Sequence, residues 1–292
     1  MSYRTSLLSA LLLSGLMLAA PMAEARGGRA RSSGRQGTAT TARGNFQRQG
    51  TATTQRTQTG GQRSYEGTRT GPKGQTSQVD RNSQVDRTGK NTWDRNTQQT
   101  VTGPNGQQRS WESQGSGSVQ KTENGHQRNY EGTITNDKGK SVDVDRTTDV
   151  TKNADGSVTR DTNATYTNQQ TGQVKDVDRT STTTRDGQGG FTTERSSSVS
   201  DGQGNVLGNG QSTTTGQKGQ GTQTTGSYTN SQGNTWNYSG ETQRAEEGGT
   251  QHTSTTTGPN GSRTTTGNAK WQYIDGKWVR VQQVQTAPAT TP

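Results

Sequence analysis

Two sets of side chains in this sequence have the types and spacing for recognition chemistry. Near the C-terminus, Trp271-Gln272-Tyr273-Ile274-Asp275-Gly276-Lys277-Trp278-Val279-Arg280 alternates about an Asp-Gly pair. This is the strongest hairpin signal in the chain, because both central positions of a two-residue turn need positive φ. Such a turn pairs Ile274 with Lys277, Tyr273 with Trp278, Gln272 with Val279 and Trp271 with Arg280. One face then carries Trp271, Tyr273, Trp278 and Arg280, rings with an adjacent cation that suit a sugar ring or choline-like group, or simply pack across the hairpin as a capping or docking element. At the other end Arg26, Arg29, Arg31, Arg35, Arg43 and Arg48 stand among glycine, serine and threonine. Arginines so spaced bury nothing. They can track a polyanion, and they also suit a purely solubilising arm.

The other reactive types converge on nothing by spacing. His126 and His252 are the only histidines and neither stands at a metal-ligand spacing, so no metal and no cofactor is expected. The absence of cysteine excludes disulfides, thiol catalysis and Fe–S ligation. Asp143, Asp145 and Asp149 alternate on one strand face and could gather calcium, although no loop matches the EF-hand positions. Many acids precede an arginine: Asp80-Arg81, Asp86-Arg87, Asp94-Arg95, Asp145-Arg146, Asp178-Arg179 and Glu194-Arg195. Adjacent residues on a strand take opposite faces, so these pairs are expected to serve neighbouring strands rather than each other. A catalytic acid pair would lack the apolar pocket that raises a pKa, and the chain reads as a non-enzyme.

What must position these residues is a polar, repetitive chain of 292 residues, 20% hydrophobic and with 41 glycines. Residues 1–25 combine a basic start, the apolar run Ser6–Ala20 and Ala23-Glu24-Ala25, the layout of a cleaved secretory signal. Beyond it Leu207 is the only leucine, and Ile134 and Ile274 the only isoleucines. That is too little apolar surface for a conventional large globule. Charge is uneven: residues 26–75 carry +9 and residues 76–292 only +1 of the formal +10.

Repeats dominate the remainder. Gln62-Arg-Ser-Tyr65-Glu-Gly-Thr68 returns as Gln127-Arg-Asn-Tyr130-Glu-Gly-Thr133, an offset of 65 residues. Asp143-Val-Asp-Arg-Thr147 returns at Asp176, and Thr102-Gly-Pro-Asn-Gly106 at Thr257. The unit is a glycine-containing turn, one aromatic (Phe46, Tyr65, Trp93, Trp111, Tyr130, Phe191 or Trp236) and a Thr/Ser/Gln run. The turn candidates are Asn105-Gly106, Asn124-Gly125, Lys138-Gly139, Asp155-Gly156, Asp186-Gly187, Asp201-Gly202, Gln232-Gly233 and Asn260-Gly261. No segment after the signal shows an apolar 3.6-residue period. In repetition and Gln/Asn/Gly content the chain resembles secreted matrix-forming proteins, including the curli-like functional amyloids, with threonine replacing much of their fixed short repeat. The C-terminal segment resembles a single wall-binding repeat of bacterial surface proteins.

The fold expected is a low-complexity polar β-repeat, all-β, laid out as a hairpin array in an open sheet or as a solenoid-like stack, with extensive disorder and no helix beyond the signal peptide. Its parts are residues 1–25 (signal), 26–75 (disordered basic arm), 76–267 (imperfect β-repeat), 268–286 (aromatic hairpin) and 287–292 (loose tail). The function expected is that of an exported, non-enzymatic structural, matrix or adhesion-type protein of the periplasm, cell surface or extracellular space, with a self-assembling version. Its expected partner is an anionic envelope or matrix polysaccharide. No dedicated nucleic-acid partner and no transmembrane anchor after signal cleavage are expected. The alternative is an envelope- or glycan-binding module that works through the aromatic hairpin.

Overall fold

The computed structural model describes residues 31–41, 44–57, 59–71, 73–245, 249–259, 261–274 and 277–286, with side chains between residues 47 and 268, Arg48 excepted. The signal segment, Arg26, Arg29, Arg43, the Asp275-Gly276 turn and the tail 287–292 lie outside these residues.

Among the described residues every regular element is a strand: β1 (Arg31–Thr41), β2 (Gly44–Arg56), β3 (Gly60–Thr70), β4 (Thr76–Arg87), β5 (Thr92–Thr102), β6 (Gln108–Thr122), β7 (Gly125–Asn136), β8 (Ser141–Lys152), β9 (Val158–Asn168), β10 (Val174–Arg185), β11 (Gly190–Asp201), β12 (Val206–Gln217), β13 (Gly221–Asn230), β14 (Thr235–Arg244), β15 (Thr250–Gly258), β16 (Gly261–Ile274) and β17 (Lys277–Thr286). Threonine, valine and the aromatics favour the extended backbone, and a glycine-containing loop ends most runs. Strands β1, β2 and β3 run through the segment that composition assigns to a disordered arm, so extended, paired backbone is described there.

Each strand pairs antiparallel with the next, so of the two repeat layouts the chain takes the hairpin array. The expected open sheet is corrected in one respect: the array closes. β1 pairs parallel with β17, from Gly34 with Val279 to Thr40 with Gln285. The seam is parallel because an odd number of strands, 17, leaves the first and last running the same way. Closure removes both free sheet edges.

The loops correct a second expectation. Instead of two-residue turns, six loops share a three-residue design. Asn136 N–H donates to Lys140 C=O, and Gly139 N–H donates back to Asn136 C=O. The same pair of bonds recurs at Gly71/Gln75, Gly103/Gln107, Asn153/Ser157, Asp201/Asn205 and Asn230/Asn234. This is a type I turn followed by a left-handed residue, and Gly139 holds that place at φ 69°. The Asn136 side chain accepts from the backbone N–H groups of Lys138 and Lys140, and Asp201 and Asn230 do likewise in their loops. The pairing moves three of the expected turns: Gly261, like Gly125, already stands in a strand, as the partner of Gly258. Glu123 and Asn124 form one, with Gly125 already in β7, and Gly204 rather than Gly202 takes positive φ.

Register sorts the strands into two faces. Residues directly opposite share a face, so the pairing can be followed strand by strand around the ring. The buried residues Ala52, Val142, Val144, Ala164, Val177 and Thr193 fall on one face, with Ser141 at the start of β8 on the other. Side chains converge on the concave side of a closed sheet and splay on the convex side, so this is the inner face. Among the described residues no large side chain is fully enclosed. The wall is therefore held by its backbone ladder and by cross-strand pairs rather than by a core.

Aromatic rings lie on glycines of the inner face. Gly50 and Gly67 are register partners, and a Cβ added to Gly50 would stand 2.5 Å from Tyr65 Oη and 2.7 Å from its Cζ. Gly115 and Gly132 are likewise partners under Tyr130. The two arrangements are 65 residues and four strands apart, which gives the sequence repeat its structural meaning.

Candidate functional site: a basic, aromatic inner wall

Every arginine on β3 to β16 falls on the inner face, from Arg63 and Arg69 on β3 to Arg244 on β14 and Arg263 on β16. The aromatics of the same strands, Tyr65 through Tyr238 and on to Trp271 and Tyr273, share it. The strand acids take the outer face, Asp201 at the end of β11 apart. The Asp-Arg dipeptides thus split through the wall, as alternation requires. Their expected service to neighbouring strands takes a different form, because acids meet neutral donors or other acids. Thr133 donates to Asp143, Thr165 to Asp176, Thr180 to Asp161 and Gln127 to Asp149. Glu112 accepts from Gln114, Gln98 and Asn96, which holds its carboxyl below the usual range. Glu66 stands opposite Asp80, Asp86 opposite Asp94, Glu131 opposite Asp145 and Asp149 opposite Asp161.

The densest inner cluster lies on β6 to β9. Lys121 is the register partner of His126, and His126 and Arg160 are both partners of Val150. Arg128 stands two residues along β7, and Arg146 lies over the Tyr130 ring at 5.8 Å from its centroid. Burial, then Arg128 and Arg160, push the His126 imidazole below its ordinary value, and burial, then Arg160 and Arg146, do the same to Arg128. His126 Nε2 and Arg128 Nε are buried without a hydrogen-bond partner. Forked guanidiniums held near one another without a carboxylate are arranged to receive an anion.

The candidates read from sequence fall as follows. Register pairs Ile274 with Lys277, Tyr273 with Trp278, Gln272 with Val279 and Trp271 with Arg280, which is the expected hairpin. Trp271, Tyr273, Trp278 and Arg280 share the inner face by register. Arg31 and Arg35 stand on β1 and Arg48 on β2, also at inner positions. Arg35 is opposite Gly50 and beside Arg280 across the seam, so closure brings together two segments from opposite ends of the chain. Arg26, Arg29 and Arg43 lie outside the described residues. Asp143, Asp145 and Asp149 do share one outer strand face, but no group of three or more metal-suitable side chains occurs among the described residues.

Sequence reasoning missed the inner cluster, although its signal was present. Arginine stands two residues from an aromatic at Arg63/Tyr65, Trp93/Arg95, Arg109/Trp111 and Arg128/Tyr130, and even spacing on a strand means one face. No family model matches the chain, and neither the curated proteins nor the solved structures contain a similar one. The fold and the site define a closed, polar β-meander of repeats with a basic, aromatic inside and an acidic outside.

Proposed function

We propose that this chain is an exported, non-enzymatic structural or adhesion-type protein that associates with an anionic envelope or matrix polysaccharide. The observation that supports the reading most is the repetition itself. The same hairpin loop and the same division of charge recur around the ring, as suits a scaffold that presents a wall. Among the described residues no helix is long and apolar enough to cross a membrane. Among the described residues arginines and aromatics share one face of the sheet, and most acids and glutamines stand on the other. Backbone amide exchange on the chain lacking residues 1–25 tests the structural part. Slow exchange spread over β5 to β14 is expected, and uniformly fast exchange would overturn it. Retention on purified envelope polysaccharide tests the partner.

A further inference from the structure

We propose that Lys121, His126, Arg128, Arg146 and Arg160 on the inner face form a binding site for a linear polyuronate, a sugar polymer with one carboxylate per ring. This rests on the partner named above and moves the site from the N-terminal arm to the wall of β6 to β9.

Three observations carry it. First, the cluster is made of like charges contributed by four consecutive strands, and every acid on β6 to β9 stands on the opposite face. The protein supplies no counter-charge there, so the compensating carboxylates come from a ligand. Second, the Nε of Arg128 is enclosed without an acceptor, so no protein group compensates the guanidinium at that atom. Third, the enclosure has room: barrels of 16–18 strands leave an aqueous channel, and this one has 17.

The aromatics decide between polymer classes. Nucleic acid without sequence preference needs rings free to stack on successive bases. Here Tyr65 and Tyr130 cover glycines, and Tyr130 also carries Arg146. Tyr228 and Trp236 lean on each other, 5.9 Å apart. Rings lying on the sheet offer little to bases, Tyr228 with its 45% exposure apart, whereas arginines spaced along it match carboxylates on a sugar chain.

The test measures binding of sodium polygalacturonate to the full chain lacking residues 1–25, with double-stranded DNA and neutral dextran as the other arms. Polygalacturonate is expected to bind, to weaken steeply with added salt, and to lose about tenfold or more in affinity in Arg128→Gln/Arg160→Gln. Arg128→Lys/Arg160→Lys, which keeps charge but not the fork, is expected to lose less. Phenylglyoxal labelling of the unsubstituted protein gives a readout free of folding effects: the polymer should shield Arg128 and Arg160. Unchanged affinity in the double Gln variant, or unshielded Arg128 and Arg160, overturns the proposal. So does tighter binding of DNA than of polygalacturonate at equal salt. Loss of binding on replacing Arg26, Arg29, Arg31 and Arg35 by Gln, with the double Gln variant still binding, would return the site to the arm and leave the proposed partner standing. Failure of every polyanion to bind overturns site and partner together, while the amide-exchange result stands apart from both.

Discussion

Gly216 on β12 offers a direct test of rings lying on glycines. It is the register partner of Phe191 on β11 and of Thr222 on β13. A Cβ added there would stand 2.5 Å from Phe191 Cε1, 2.8 Å from Phe191 Cζ and 2.9 Å from Thr222 Cγ2. Carbon atoms in good contact sit about 3.5–4.0 Å apart, so the overlap with the ring is about an ångström. Overpacking of this kind costs about 1–3 kcal/mol. Gly→Ala at a compatible φ returns about 0.4–1 kcal/mol by restricting the unfolded chain. The net expectation for Gly216→Ala is a loss of about 0.5–2 kcal/mol. In a Phe191→Ala background the ring is gone and only the Thr222 methyl remains, which a rotamer change relieves. There Gly216→Ala should be neutral or stabilising by up to about 1 kcal/mol. Urea unfolding of the four proteins, followed by far-UV circular dichroism, gives the coupling as a double-mutant cycle. A cost for Gly216→Ala that agrees in the two backgrounds within about 0.5 kcal/mol refutes the packing described.

Three further outcomes follow from the charges and the seam. Because acids face acids on the outer wall and arginines crowd the inner one, raising the salt from roughly 0.01 M to 0.15 M should raise the urea midpoint rather than lower it; a fall would mean that ion pairs dominate. His126, partly buried and with Arg128 and Arg160 near it, titrates in the folded state below its ordinary value of 6.5. The unfolded chain therefore takes up that proton first as pH falls, so its contribution is intact above the ordinary imidazole range and lost as pH drops towards the depressed folded value; His126→Gln should flatten this dependence in denaturation measured against pH. Gly34→Cys with Val279→Cys places two thiols at partner positions of the parallel seam, in a chain with no native cysteine. Oxidation should link them within the monomer, as a shift on non-reducing electrophoresis, and failure to link them would argue against closure.

Much of the local structure was legible because it is set by neighbours in sequence. Asp275-Gly276 between alternating runs determines a register, and the pairing of Ile274 with Lys277 follows it. Glycine at Gly106, Gly139, Gly156, Gly187 and Gly233 marks positive φ because only glycine takes it without strain. The loop design was less legible. The side chains of Asn136, Asp201 and Asn230 draw two backbone N–H groups each, which favours three residues where the dipeptide alone suggests two. Closure has no local signal at all. It depends on the strand count and on curvature summed around the ring, and nothing near Gly34 or Val279 announces the other. The inner cluster lay between these cases. Each Arg-x-aromatic triplet is readable, but assigning all of them to one face requires the register between strands.

That division also changes what the charge of the chain means. Over residues 76–292 the net charge is +1, a value that suggests neutrality and self-association. Alternation converts the Asp-Arg dipeptides into two walls of opposite sign, each internally repulsive. A sheet that paired these charges across strands would be more stable and would leave no wall to offer a polymer. The arrangement instead ties stability to binding. A polyuronate that fills the inner wall removes repulsion among Lys121, His126, Arg128, Arg146 and Arg160 and binds only the closed sheet, so it must stabilise the fold through mass action, by about 2.7 kcal/mol at a hundredfold excess over its dissociation constant. The same polymer should move the His126 imidazole resonance, since its carboxylates come to stand beside Arg128 and Arg160, the guanidiniums nearest that ring. Urea unfolding and the imidazole proton resonance, each followed against polygalacturonate concentration, should therefore give one and the same dissociation constant. Two different constants would separate the cluster from the polymer site and sink the linkage.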